Sequence, residues 1–260
     1  MQGRGLVNYV GHGIVIFTMK AQQKKEMFKA ISALPLKWLV DICLPQTCLG
    51  CRCVVKTQSF AATLCAVCWG QLKSADMLAA TMAQIAEDAP FDTFTAPFLY
   101  EGMAMCLVKN LKYGGQRSAA RLMAQQMLPY LEENIDLIIP VPLHKKRLYR
   151  RAYNQAADLA KHIGIGGQIP VDFQALQRTR YTQSQVGQKA AARRAQLKDA
   201  FRANIDLKGK RVALIDDVCT TGSTAAECAK ALKDAGVLYV QLLTFAFVEP
   251  KVDKERPNNS

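Results

Sequence analysis

The amino-acid sequence predicts an α/β protein, a mostly parallel sheet covered by helices on both faces, with a small cysteine-rich block ahead of it. Three observations carry this. Between about residue 95 and residue 250, short apolar runs alternate with stretches of helical character, a rhythm that favours right-handed crossovers and a parallel sheet. Two of those runs, Leu137–Val141 and Val212–Ile215, end in clusters of charged and polar residues. Earlier in the chain, Cys48-Leu-Gly-Cys51 and Cys65-Ala-Val-Cys68 stand thirteen residues apart, close to the spacing of two metal-binding knuckles.

In chain order, residues 1–34 read as a tail, 35–75 as a zinc ribbon, 95–250 as the sheet domain and 251–260 as a second tail. The first tail has a short apolar patch, Ile14–Phe17, then a basic cluster, and Met19 and Met27 offer later starts. Disorder fits it better than an amphipathic anchor. In the cysteine block, Cys48, Cys51, Cys65 and Cys68 satisfy the tetrahedral preference of Zn²⁺. The block has few large apolar residues, and structural zinc, contributing on the order of 10–16 kcal/mol, would supply the missing core. Cys43 and Cys53 are spare, as substitute ligands or as packing. Buried or redox-active thiols are the competing reading of the block.

Within the sheet domain, Leu137–Val141 reads as a buried strand and Ala152–Ile163 as a helix. Val171, Phe173 and Ala175 alternate as a half-buried strand does. Val212–Ile215 is a further strand, and Thr224–Ala235 a helix with Ala225, Cys228, Ala229 and Leu232 on one face and Gly236 to stop it. Val237–Phe247 closes the series as a buried strand. Ligands of such sheets collect at the carboxyl ends of strands, which directs attention to the residues after Val141 and after Ile215.

After Ile215 come Asp216-Asp217-Val-Cys219-Thr220-Thr221-Gly222-Ser223-Thr224 and then the helix. Gly222 allows a backbone conformation that brings main-chain N–H groups close to an anion. Thr220, Thr221, Ser223 and Thr224 add hydroxyl donors, and the helix N-terminus favours negative charge at the same place. The carboxylates would repel a phosphate, so they suit sugar hydroxyls or a divalent cation. A Walker B strand is the competing reading, but no G-x-x-x-x-G-K-[ST] lies upstream. A plain strand, turn and capped helix leaves the acidic pair without a task.

After Val141, the run from His144 through Lys145, Lys146, Arg147, Arg150 and Arg151 puts five cations and a histidine into eight positions, followed by Tyr153-Asn154-Gln155. Alone it reads as a solvated basic loop. Beside a phosphate loop it reads as the seat of a second anionic group, such as a diphosphate.

The segment Asp216–Thr224 resembles the fingerprint by which type I phosphoribosyltransferases bind phosphoribosyl diphosphate (PRPP). The resemblance implies that Asp216 and Asp217 contact the ribose 2′- and 3′-hydroxyls and that the turn from Cys219 to Thr224 wraps the 5-phosphate. Together with Pro140-Val-Pro142-Leu143 and the basic run, Lys112-Tyr113-x-Gly115 and Arg178-Thr-Arg180-x-Thr182-x-x-Gln185 are similar to the ComF (also GntX) branch, whose members join a double zinc ribbon to a phosphoribosyltransferase domain. That branch has F-N-Q where this chain has Tyr153-Asn154-Gln155, a mild departure expected to leave binding unaltered. The resemblance runs from about Leu36 to Phe247. Arg178–Arg194, with Arg178, Arg180, Gln183 and Gln185, reads either as a flap closing over the diphosphate or as a solvated arm. Cys219 is a weak candidate nucleophile, because the superfamily reaction is a direct displacement, and Cys106 and Cys228 read as core fillers.

The bulk numbers agree. With 34 Lys and Arg against 21 Asp and Glu, the formal charge is +13, which favours phosphorylated or polyanionic partners. No apolar run approaches the ~20 residues of a membrane helix, and the paired cysteines suit a reducing compartment. The expectation is a cytoplasmic protein without an integral membrane segment, peripheral to the inner membrane at most. The ComF resemblance implies a PRPP-binding protein of bacterial DNA uptake or DNA utilisation, with single-stranded DNA and the uptake machinery as partners and Trp69 or Tyr149 as stacking platforms. The alternative is an active phosphoribosyltransferase in which Mg²⁺ accompanies PRPP and an unidentified acceptor attacks the anomeric carbon.

Overall fold

The computed structural model describes residues 47–55, 63–113, 117–143, 148–149, 153–179 and 200–250. The chain divides into two compact units, Met1–Gln46 and Thr47–Ser260, and every described residue belongs to the second. The expected tails and Cys43 lie outside the described residues.

In chain order the elements are helix α1 (Ala66–Trp69), α2 (Ala79–Glu87), strands β1 (Thr93–Thr95) and β2 (Phe98–Leu99), helices α3 (Gly102–Tyr113) and α4 (Ser118–Met127), strand β3 (Leu137–Pro140), helix α5 (Gln155–Gly167), strands β4 (Leu176–Arg178), β5 (Phe201–Ala203) and β6 (Arg211–Cys219), helix α6 (Ser223–Asp234) and strand β7 (Tyr239–Phe247). The main sheet runs β1-β7-β6-β3, every pair parallel, with β2 continuing beside β7. The mostly parallel α/β architecture read from the sequence is therefore the one observed. β4 and β5 form a separate antiparallel ribbon.

Strand alternation sorts the side chains onto two cores. Val212, Leu214, Val240 and Leu242 pack with Met82 and Ala86 of α2 and with Ala225, Cys228, Ala229 and Leu232 of α6. Ala213, Ile215, Leu243 and Phe245 pack on the other face with α3, α4 and α5, through residues such as Leu107, Leu111, Met123 and Ile163. The face foreseen for α6 is the face that is buried. Its stop is also as foreseen: Gly236 has φ +85°, a left-handed value that glycine adopts without a Cβ penalty.

Two expectations are corrected. The strand through Val171, Phe173 and Ala175 does not form. Val171 makes a single parallel bridge to Ile138, and then Asp172 Oδ1 accepts from the N–H groups of Gln174 and Ala175 at 2.7 and 2.8 Å. That Asx-type turn ends the pairing, and the strand begins instead at Leu176. The helix expected from Ala152 starts at Gln155, because Asn154 is its N-cap and accepts from Ala156 N–H at 3.1 Å.

Candidate functional site

β3 and β6 lie side by side with Pro140 opposite Ile215, and Val141 N–H donates to Ile215 O at 2.9 Å. The two loops singled out in the sequence therefore leave the sheet together. They open onto a cleft of about 250 Å³ whose walls include Lys112, Pro142, Asn154, Gln155, Arg178, Asp216, Asp217, the whole turn Cys219–Thr224, and Thr244.

The strand persists through the acidic pair to Cys219, so successive side chains leave on opposite faces. Asp216 lies on the α6 side, where its charge reaches Cys219 and Cys228, and its Oδ1 accepts from Asp217 N–H at 2.8 Å. Asp217 lies on the α3 side, 5 % exposed, with Lys112 Nζ 2.9 Å from its Oδ2. Burial works against the charge of Lys112, but Asp217, with Asp216 and Tyr100 beyond it, outweighs that and holds the ammonium above its ordinary range. The adjacent acids thus have different surroundings.

The turn that follows lines the cleft. Gly222 stands at φ +68° as the N-cap of α6, and no side chain caps that helix. Among the described residues, no main-chain carbonyl accepts from Ser223, Thr224 or Ala225 N–H. The opening donors of the helix thus have no main-chain acceptor, and a helix start of this kind favours an anion. Thr221 Oγ1 and Ser223 Oγ are hydrogen-bonded to each other at 2.9 Å, and Thr220 and Thr221 are exposed. Burial, with the nearby Asp216 charge, pushes the Cys219 thiol up to about 12 against the pull of Gly222 N–H. A thiol held neutral in this way is a poor nucleophile.

Of the basic run, His144, Lys145, Lys146, Arg147, Arg150 and Arg151 lie outside the described residues. Asn154 and Gln155 are described. Asn154 spends both ends of its amide on the backbone, accepting from Ala156 N–H and donating to Val141 O at 3.0 Å. It ties α5 to the end of β3. Gln155 is 2 % exposed and reaches the cleft wall. Arg178 also lines the cleft, its guanidinium 5.3 Å from the centre of the Phe201 ring. The β4–β5 ribbon therefore places Arg178 at the cleft; Arg180, Gln183 and Gln185 lie outside the described residues. Lys112 is the site residue to which sequence reasoning gave no role. It was legible only as part of a motif, because the sequence does not show that α3 packs so as to bring Lys112 against Asp217.

The cysteine block forms a second centre. The sulfurs of Cys48, Cys51, Cys65 and Cys68 all lie within 4.8 Å of one another, and Cys51 Sγ and Cys65 Sγ are 3.6 Å apart. Ligands at the usual Zn–S distance would stand about 3.8 Å apart in a tetrahedron, so the cluster can hold a metal ion such as zinc. A bridge between Thr47 and Val54 closes the first knuckle, the short helix α1 carries Cys68, and Leu49 N–H joins the two through Thr63 O at 3.0 Å. Burial opposes a thiolate at Cys48, but N–H groups of Cys65, Cys51 and Gly50 and the Cys68 thiol bring it down to about 6. The first knuckle is seated on α3 by Asn110 Nδ2, which donates to Leu49 O at 3.0 Å.

Residues 115–259 match the family model described as phosphoribosyl transferase domain. The chain is 40% identical over 107 residues to the DNA utilization protein YhgH of Escherichia coli O157:H7, covering 41% of this chain and 47% of that protein. It is 41% identical over 110 residues to competence protein F of Haemophilus influenzae, covering 41% and 48%. The chain spans about half the length of these curated relatives. Among solved structures, similarity is found to a glutamine PRPP amidotransferase from B. subtilis complexed with ADP and GMP (18% identity, 52% of this chain and 30% of that one, TM-score 0.37). It is also found to the purine phosphoribosyltransferase from Pyrococcus horikoshii Ot3 (21% identity, 52% and 76%, TM-score 0.31).

Proposed function

The chain belongs to the phosphoribosyl transferase domain family, and on that premise we propose that it binds PRPP in the cleft at the ends of β3 and β6 and serves bacterial DNA uptake or DNA utilisation. The observation that carries the reading is the uncapped start of α6 on the same cleft wall as Asp216 and Asp217. It sets donors for a phosphate beside acceptors for hydroxyls. The names of the relatives, DNA utilization protein and competence protein F, supply the biological setting. Among the described residues no helix is long and apolar enough to cross a membrane.

In this reading the N–H groups of Ser223 and Thr224 and the hydroxyls of Thr220, Thr221, Ser223 and Thr224 hold the 5-phosphate. Asp216 and Asp217 accept from the ribose hydroxyls. His144, Lys145, Lys146, Arg147, Arg150 and Arg151 meet the diphosphate, with Gln155 at the wall and Asn154 fixing the loop's exit. Mg²⁺ bound with PRPP would neutralise part of the diphosphate charge, and Asp216, half-buried and facing the cleft, is a carboxylate suited to approach it. Cys48, Cys51, Cys65 and Cys68 would hold structural Zn²⁺. Single-stranded DNA would follow the basic surface of the +13 chain, with Tyr149 and Trp69, 91% and 42% exposed, available for stacking.

Calorimetric titration with PRPP and Mg²⁺, with and without single-stranded DNA, tests the proposal. Replacement of both Asp216 and Asp217 by Ala is expected to abolish PRPP binding with the fold retained. Unchanged affinity in the double variant would overturn it. Incubation with PRPP and a panel of bases and amines separates a binding protein from an active transferase, since only the latter releases diphosphate dependent on one acceptor.

A further inference from the structure

We propose that Lys112 contacts the ligand in this cleft, acting with Asp217 on a hydroxyl of the bound sugar, and that the Tyr153 hydroxyl positions it. The inference rests on the sugar-phosphate reading above and deepens it. Lys112 and Asp217 have side chains only 21% and 7% exposed. An apolar pair at such a place is usually at least as stabilising as a buried ion pair, so fold stability does not account for this one. Nζ lies 2.9 Å from Oδ2, within reach to donate to it, and both residues line the cleft on which α6 begins.

A sugar hydroxyl in the cleft fits this pair. Its O–H donates to Asp217 Oδ2 and its oxygen accepts from Lys112 Nζ. The ammonium offsets the Asp217 charge in a cleft that must also receive a phosphate ester. The phosphate already has its own donors at the start of α6, so Lys112 serves the hydroxyl end.

The position of Lys112 is set from outside α3. The last carbonyls of a helix lack partners within it, and Tyr153 Oη donates to Leu111 O, one residue before Lys112. The Tyr153 ring lies under the Arg117 guanidinium, 5.3 Å from Cζ to the ring centre. Arg117 is itself held by Asp158 through bonds of 2.9 and 2.6 Å. The next residue, Asn154, is tied to Val141 O. Tyr153-Asn154 thereby joins the end of α3 to the end of β3. A phenylalanine would keep the ring and lose the bond to α3, so the tyrosine is more than a mild departure.

Titration with two probes isolates the hydroxyl end: inorganic phosphate uses the α6 cradle alone, and ribose 5-phosphate uses both. The parent is expected to bind ribose 5-phosphate at least about tenfold more tightly than phosphate, the scale of a charged hydrogen bond. Lys112→Met should remove most of that preference, with phosphate affinity changed by less than about threefold. Tyr153→Phe should lower the preference by about threefold and leave phosphate affinity unaltered, a change in ratio that general loosening of the fold would not give. If Lys112→Met does not fold, Lys112→Arg and Tyr153→Phe carry the test, since the fork of arginine cannot reproduce a point contact. A parent that binds neither probe defeats the sugar-phosphate reading itself. A parent that binds both equally, or variants that keep the full preference, defeat only the role given to Lys112 and Tyr153.

Discussion

At Gly222 and at Gly50 the absence of a side chain has different physical causes. A Cβ at Gly222 would meet nothing closer than 3.7 Å, but the residue sits at φ +68°. The cost of alanine there is conformational, roughly 1–2 kcal/mol, and Gly222→Ala is expected to lower stability by about that amount in urea titration. A Cβ at Gly50 would lie 2.7 Å from Met103 Cε and 2.9 Å from Cys68 Sγ. Met103 is flexible and can give way, whereas a sulfur of the four-cysteine cluster cannot move without spoiling a tetrahedral set of ligands. Gly50→Ala should therefore reduce the zinc bound per chain, as read by metal analysis of the purified protein. The positive φ at 222 was foreseen from the turn chemistry, but the crowding at 50 depends on α3, which is distant in the chain.

Helix α5 shows packing overruling propensity. Alanine is a better helix former than glycine by about 1 kcal/mol, so Gly164, inside α5, looks replaceable. A Cβ there would stand 2.3 Å from Val171 Cγ2 and 2.9 Å from Ile169 O, and the second neighbour is backbone. Gly164→Ala is expected to destabilise by about 1–3 kcal/mol, the range for forced overpacking, measured as a shift of the denaturation midpoint with unchanged slope. At the other end of the helix, Asn154→Ala removes the cap and the bond to Val141 O. A loss of about 1–2 kcal/mol follows from the cap, and the exit of the basic loop should loosen with it. In the sequence, Asn154 and Gln155 read as ligand-binding residues by their neighbourhood. The structure gives Asn154 a framework task, because the helix it begins must be joined to the strand it leaves.

At the scale of the molecule, the cysteine cluster is part of one core. Cys48, Leu49, Leu64 and Cys68 pack with Met103, Leu107 and Phe245 in the same apolar cluster. Removing the metal should therefore unsettle the sheet's helical face as well as the knuckles. The expectation is a single thermal transition that moves to lower temperature on chelation, and that Cys48→Ser or Cys65→Ser moves similarly while lowering zinc content. Two separate transitions, with only the smaller responding to chelator, would show that the knuckles stand apart.

The chain's local chemistry determined the parallel α/β class, the paired cysteine knuckles, the glycine turn and the buried face of α6, since each depends on spacing within a few residues. Residues far apart in sequence acquired their meaning only on folding. Alternation along β6 sent Asp216 and Asp217 to opposite faces, α3 brought Lys112 to one of them, and Tyr153 secured that approach from a third element. Spacing along a chain encodes which side chains share a turn or a strand face. Which charges meet across a cleft is decided by how helices pack on the sheet, and that is a property of the tertiary structure alone.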